Sequence, residues 1–165
     1  MQQDIWPQII LGGVVAAVIA AIITGRITRS IKISEFRQKW IDELRKDIAD
    51  YIGVAHEWIK TYEAVNPIVD QAEKARLVRE KVEPVQRMAI VVLARIKLRF
   101  NPFKNRYQRE DNEFLLSLGD LIDPGKLPED NSEAEWHRLA DQALQRGRNI
   151  LKREWEVTKQ PSQWF

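Results

Sequence analysis

The hydrophobic positions divide the chain into two unequal parts. From Ile5 to Gly25 no side chain is charged, although 30% of all residues carry a charge. A helix rises about 1.5 Å per residue, so this stretch matches the roughly 30 Å hydrocarbon core of a bilayer. A buried helix of a soluble protein would carry a polar stripe, which is missing here. The pattern predicts a transmembrane helix in residues 1–32 and a helical domain in residues 33–165.

The charges on either side of the apolar stretch predict its orientation. Asp4 precedes the stretch, and the juxtamembrane cations Arg26, Arg29 and Lys32 follow it. A cleaved signal peptide has the reverse order, with its cations before the apolar run. Because segments rich in Lys and Arg stay in the cytoplasm, we expect Met1 outside the cell and the helical domain inside it.

Beyond residue 32, apolar residues recur at steps of three and four, which is the spacing of one helix face. The first helix of this kind is expected to begin with Ser34 as its cap and to end before Asn66-Pro67. Its apolar positions are Ile33, Phe36, Trp40, Ile41, Leu44, Ile48, Tyr51, Ile52, Ala55, Ile59 and Tyr62. This face forms the core of an intramolecular bundle, which we favour, or it extends a parallel coiled coil.

A second helical region is predicted between Ile68 and Phe100. Pro84 lies within it, and because proline has no amide donor we expect a kink or a break there. The run MAIVVLARIKLRF has a strand-like composition, but its length and its helical surroundings favour a helix. Asn101-Pro102 is predicted to end this region.

Two shorter patterns complete an all-α fold. The segment NRYQREDNEFLLSLGDLID predicts a short helix whose inward-facing residues are Phe114, Leu115, Leu118 and Leu121. The capping box SEAE, which begins at Ser132, predicts the start of a last helix that reaches Thr158. Amphipathic helices joined by short connections are typical of an antiparallel bundle.

Composition and sparse catalytic residues argue against an enzyme. The chain has no cysteine, so disulfides and thiol chemistry are excluded. HEWIK, residues 56–60, begins like a zinc-protease helix, but Lys60 stands where the second histidine is needed. The other histidine, His137, is distant in sequence, and the glycines form no phosphate-binding loop. We therefore expect no enzyme activity, no catalytic residue, no cofactor and no metal.

The acids on the first bundle helix fit a solvated surface. Glu43, Asp47 and Asp50 share one helix face. Arg45 and Lys46 alternate with them, as is typical of a face in contact with water. The net charge of +2 is already present in residues 1–32, so the remaining chain is neutral overall. A globally basic nucleic-acid-binding domain is not indicated.

Small residues recur at steps of four within the apolar stretch. Gly13, Ala17 and Ala21 follow this spacing. Small side chains at such intervals let two membrane helices approach closely and pack. The spacing predicts self-association through this face, so we expect membrane lipid and either a homo-oligomer or a protein partner around the chain.

Charge is segregated in the middle of the chain. Residues 95–109 contain no acid, and Phe100, Phe103 and Tyr107 lie among their cations, whereas residues 110–135 are strongly acidic. The two segments neutralise each other across the bundle, or the basic stretch binds anionic lipid, where each cation contributes about 1 kcal/mol. Nucleic acid is the least favoured partner. The cations are Arg95, Lys97, Arg99, Lys104, Arg106 and Arg109.

Three motifs occur in order along the chain: ISEFRQKWIDELRKDIADYI, IKLRFNPFKNR and ILKREWEVTK. Together they resemble a group of uncharacterised bacterial single-pass membrane proteins. That group has an N-terminal span, a segment like SEFRQ-x-W-I-x-x-LR, a mid-chain NP break and a C-terminal Lys-x-Glu-Trp-Glu helix. The resemblance covers most of residues 33–158 and implies the bacterial inner membrane. The group has no established activity, and some members look like neighbours of prophage or phage-defence genes.

These patterns lead to one expected function and its alternatives. We expect a non-enzymatic, membrane-anchored interaction module that self-associates or recruits a partner by burying an apolar helix face. The alternative is a phage-defence or toxin-type membrane effector that oligomerises and perturbs the bilayer. A membrane-tethered nucleic-acid binder rests on residues 95–109 alone.

Overall fold

The structure, a computed structural model, describes residues 6–100, 106–128 and 132–159, with side chains from residue 19 onward. Every regular element in these ranges is helical, which confirms the predicted all-α class. A π-helical turn, Val78–Val82, joins the second and third α-helices, and short 3₁₀ turns follow the fourth. The helices are α1 (Trp6–Val65), α2 (Gln71–Leu77), α3 (Glu83–Leu98), α4 (Gln108–Gly119) and α5 (Ser132–Lys159).

The third helix, α3, runs antiparallel to α1. Arg95 pairs with Asp50, with Nη2 and Oδ2 3.6 Å apart. Arg99, one turn further along α3, pairs with Glu43, which lies two turns earlier on α1, with Nη1 and Oε2 2.8 Å apart. The contacts therefore follow opposite orders on the two helices. The end of α3 therefore lies closer to the N-terminus of α1 than its start does.

The last helix, α5, is also antiparallel to α1. The hydroxyl of Ser132, at its start, donates a hydrogen bond to Glu63 near the end of α1. Near the other end of α5, Glu154 Oε2 lies 3.7 Å from Arg37 Nη1. The predicted start at Ser132 and the predicted extent of this helix are both confirmed.

The core lies between the C-terminal half of α1 and the helices α3, α4 and α5. Tyr51, Ile59 and Phe114 are completely buried, on the faces that the three-and-four spacing predicts. For this part of α1 the bundle-core interpretation of the apolar stripe is confirmed. Trp58 is buried as well, although it lies outside the predicted positions. The largest buried side chains are Trp58, Tyr51, Phe114, Ile41, Leu44, Ile59, Ile96, Leu118 and Leu121.

The boundary expected at residues 32–34 does not interrupt the helix. α1 is continuous from Trp6 to Val65, so the prediction of a helix cap at Ser34 is wrong. Phe36, expected in the core, is 73% exposed. It lies at the margin of the apolar face, about a quarter of a turn from the direction of Leu44 and Ile48.

The disturbance predicted at Pro84 is a π-helical turn rather than a break. The turn at Val78–Val82 immediately precedes Pro84, which occupies the first turn of α3. Proline fits there because the π turn already interrupts the regular i→i−4 hydrogen-bond ladder. The wider π turn accommodates an extra residue before the ring. The run MAIVVLARIKLRF is helical as predicted, whereas the stop expected at Asn101-Pro102 lies outside the described residues.

Candidate functional site

The projecting segment, residues 19–32 of α1, is almost entirely exposed. Its large apolar side chains have between 52% and 54% of their surface open. At the angular step of an α-helix they cover about half of the circumference. Contact between an apolar surface this broad and water is energetically unfavourable, so we expect lipid or protein to bury it. The side chains are Ile19, Ile22, Ile23, Ile27 and Ile31.

Within the described residues, no helix combines the length and the hydropathy needed to cross a bilayer. The side chains of residues 6–18 lie outside the described part, and with them Gly13 and Ala17 of the predicted packing face. Ala21, the third member, is exposed. Gly25 continues the spacing of four, and a Cβ there would meet no atom within 4 Å. The cations Arg26, Arg29 and Lys32 are exposed too.

The described cations of the basic stretch 95–109 differ in their partners. Arg95 and Arg99 approach α1, where Arg99 is only 19% exposed and both contact the carboxylate of Asp47. Arg109 pairs with Glu113 one turn later, with Nε and Oε1 2.8 Å apart. The cations at the end of α3 therefore pair with α1, whereas Arg109 pairs within α4.

Two further cations of this stretch remain at the surface. Lys97 and Arg106 are exposed, and the Arg106 guanidinium lies 5.6 Å from the centre of the Tyr107 ring. Lys104 lies outside the described residues. The positions available to an anionic partner are therefore fewer than the sequence indicates.

Asp47 is the centre of an ionic network between α1 and α3. Its Oδ1 lies 2.9 Å from Arg95 Nε, and its Oδ2 accepts a hydrogen bond of 2.6 Å from Arg99 Nε. The residue is 3% exposed, so its assignment to a solvated face is wrong. A buried carboxylate is stable only when it is paired and hydrogen-bonded. The pairing comes from α3, about fifty residues away in sequence.

The guanidinium of Arg99 is held in its charged form by this network. Burial is the largest single influence and lowers the pKa of Arg99. The hydrogen bonds and charges of Asp47 and Glu43 act in the other direction and together raise the pKa above its ordinary value. The group is therefore a fixed cation with a structural role.

The acidic start of α4 is neutralised by α5. Arg153 Nη1 lies 3.1 Å from Glu110 and its Nη2 lies 2.9 Å from Asp111. The same guanidinium stacks over Tyr107, 4.3 Å from the ring centre. Neutralisation across the bundle therefore occurs, but the partners are mainly α1 for residues 95–99 and α5 for residues 110–111.

Sequence reasoning missed one cluster of metal-ligating side chains. His56 on α1 and His137 on α5 face each other, with ring centres 5.7 Å apart. Glu133 lies one turn before His137, and one ligand atom from each of the three residues lies within 4.8 Å of the others. The four-residue spacing of Glu133 and His137 was the only sequence signal. The approach of His56 depends on the antiparallel register.

Compared with protein-family models, with curated proteins and with solved structures, the chain gives no match. The proposals that follow are supported by the geometry and chemistry of the chain itself.

Proposed function

We propose that this chain is a non-enzymatic, membrane-anchored interaction module of the bacterial inner membrane. The apolar start of α1 inserts into the bilayer, and the bundle lies on the cytoplasmic side. There the chain self-associates or recruits a protein partner. The observation that carries the proposal is the projecting segment, an exposed apolar part of a helix that continues unbroken into the bundle core.

A single apolar helix in water is unstable, and this instability supports a lipid environment. Most of the stability of protein helices comes from packing an apolar face rather than from intrinsic propensity. Full burial of an isoleucine contributes roughly 2 kcal/mol, which the half-exposed side chains of the projecting segment do not obtain from the bundle. Lipid chains supply this burial without any further protein element.

The end of the bundle nearest the projecting segment fits a membrane interface. Leu98 is 86% exposed at the end of α3, and Trp155 is 39% exposed on the last turns of α5. Trp155 lines a groove with Ile41, close to the point where α1 leaves the bundle. Lys97 and Lys152 are exposed beside these side chains. Indole rings and cations are both favoured at the surface of an anionic bilayer.

Small residues at steps of four support self-association as one form of the module. The series Gly13, Ala17, Ala21 and Gly25 gives one side of the helix little bulk. Close approach of two such helices is favoured in lipid because van der Waals contacts replace the hydrophobic driving force. The exposed position of Ala21 and the open space at Gly25 are compatible with this contact.

Membrane fractionation with a matched pair of double variants tests the anchor. Ile19→Lys with Ile22→Lys shortens the uncharged run to residues 5–18, which is less than the roughly 17 residues that a spanning helix needs. The control, Ile90→Lys with Val91→Lys, alters side chains that are 50% and 67% exposed on α3. We expect the first variant to leave the carbonate-washed membrane fraction and the control to remain there.

Retention of both variants in the membrane fraction would contradict insertion through residues 19–22. Release of both wild type and the control from the membrane fraction would contradict membrane anchoring altogether. The same preparations test the effector alternative, because an effector that perturbs the bilayer causes dye leakage from vesicles. Leakage that Gly13→Leu abolishes would favour the effector over the interaction module.

A further inference from the structure

The antiparallel register brings together the only two histidines of the chain, which lie far apart in sequence. His56 is partly buried on α1, while His137 and Glu133 are more exposed on neighbouring turns of α5. The Nε2 atom of His137 lies 3.9 Å from Oε1 of Glu133. Imidazole nitrogen and carboxylate oxygen are the ligand types that Zn²⁺ accepts most readily besides thiolate.

The separations are compatible with one shared ion. Tetrahedral Zn²⁺ with bonds of 2.0–2.1 Å holds its ligand atoms about 3.4 Å apart. In the metal-free arrangement the three ligand atoms lie within 4.8 Å of one another. Glu133 and His137 are exposed, so their side chains have room to rotate toward a shared ion.

Trp136 fixes the backbones that carry these ligands. It is 2% exposed, and its indole Nε1 donates a hydrogen bond of 3.1 Å to the carbonyl of Leu121. Its ring lies 5.0 Å from the ring of His56 and 5.3 Å, edge-on, from the ring of His137. The three ring centres form a nearly equilateral triangle, so the buried indole packs beside both imidazoles and supports their positions, and such preorganisation favours metal binding.

We propose that His56, Glu133 and His137 form a site for Zn²⁺ or a similar divalent transition-metal ion that links α1 to α5. Three protein ligands leave one coordination position, which faces solvent and accepts water. The ligands come from two helices that meet only in the folded chain, so binding stabilises the bundle. This inference is independent of the membrane anchor, since His56 lies about 35 Å along α1 from residue 33.

The test is a Zn²⁺ titration of the full chain in mild detergent, after treatment with a chelator and in competition with a chromophoric chelator. We expect one ion per chain. We expect His56→Ala and His137→Ala each to weaken binding at least about tenfold, and Glu133→Gln to weaken it less. Glu83→Gln, which removes an exposed carboxylate from α3, is the matched control and should bind like wild type.

The His56→Ala variant separates the proposed site from simpler ones. Unchanged affinity in this variant would locate the ion on α5 alone and overturn the link between helices. Absence of saturable Zn²⁺ binding by wild type would overturn the site completely. Thermal unfolding gives a second readout, because Zn²⁺ should raise the Tm of wild type and of Glu83→Gln but not that of His56→Ala.

Wild type alone provides a measurement that does not depend on the folding of any variant. Co²⁺ in a tetrahedral site with three protein ligands and one water absorbs visible light far more strongly than the octahedral hexaaqua ion. We expect this absorption to appear at one equivalent of Co²⁺ and to disappear when Zn²⁺ displaces it. A spectrum equal to that of free Co²⁺ would overturn the three-ligand site.

Discussion

The projecting segment of α1 and its bundle half, residues 33–65, have similar apolar content and opposite surroundings. Ile23, in the projecting segment, is 52% exposed, whereas Ile59, in the bundle, is completely buried. In the bundle half the apolar residues recur at steps of three and four and form one stripe. In the projecting segment the isoleucines cover a similar arc of the helix, about half of the circumference. The comparison shows that the helices packed alongside the bundle part, rather than the apolar pattern of α1 alone, determine which part of α1 is covered by protein.

Truncation of an isoleucine in each half tests this comparison and should give the largest effect. Ile59→Ala removes buried methyl groups and leaves a cavity, so we expect it to lower the free energy of unfolding by about 4 kcal/mol. Ile27→Ala, at a position that is 54% exposed, should change it by less than about 0.5 kcal/mol. Urea denaturation in mild detergent, followed by circular dichroism, measures both values. Equal losses would mean that the projecting segment also packs on protein.

Removal of the buried carboxylate at the centre of the ionic network should have the next largest effect. Asp47→Ala leaves Arg99 without its main partner, and we expect a loss of about 3 kcal/mol in the free energy of unfolding. Asp42→Ala is the control, because Asp42 is exposed and pairs with Arg45 one turn away on the same helix. The control should lose less than about 1 kcal/mol. A small loss for Asp47→Ala would show that water replaces the network easily.

Two helix-interior glycines extend the comparison to close packing. A Cβ on Gly147 would lie 3.3 Å from Ile48 Cδ1 and 3.3 Å from Phe114 Cε2, whereas a Cβ on Gly53 would meet nothing within 4 Å. We expect Gly147→Val to cost about 2 kcal/mol through overpacking. Gly53→Ala should instead add up to about 1 kcal/mol, because alanine is the better helix former. Thermal melts of both variants measure whether the stability of the bundle depends on the close contact of α5 with α1 and α4.

The smallest predicted effect concerns one buried hydroxyl. Tyr51 donates a hydrogen bond of 2.6 Å to the carbonyl of Leu118, and Tyr51→Phe should cost about 1 kcal/mol near neutral pH. Burial, and next the charge of Asp120, raises the pKa of Tyr51.

This raised pKa also gives a pH dependence with a definite sign. Because the folded state favours the neutral phenol, its contribution to stability is complete below the unfolded pKa of about 10. The contribution is lost as the pH rises from there through the folded-state pKa. Wild type should therefore lose stability above pH 10 more steeply than Tyr51→Phe. Parallel pH profiles of the two proteins would contradict this account.

Local signals in the sequence predicted most of the helices. Asn66-Pro67 marks the end of α1 correctly, because a residue before proline rarely stays helical. The motif SEAE marks the start of α5 at Ser132, whose hydroxyl bonds to Glu63 of α1. The inward positions on α4, such as Phe114 and Leu118, follow from a spacing of four within one element. These features depend on neighbours along the chain, so a single sequence is sufficient to predict them.

Features that depend on contacts between distant segments were missed. Asp47 has the same local surroundings as a solvated acid, and only the position of Arg99 on α3 makes its burial stable. His56 approaches Glu133 and His137 because of the register between α1 and α5, which no local pattern encodes. Ser34 has the chemistry of a helix cap, but the preceding residues are themselves helical and leave no terminus to cap.

The unbroken course of α1 has a mechanical consequence. Its 60 residues make a rod of about 90 Å, and no loop within it absorbs a twist or a tilt. A rotation of the projecting segment about the helix axis therefore turns Tyr51 and Ile48 against the helices that enclose them. A torque on the projecting segment would therefore strain the packing of the bundle core.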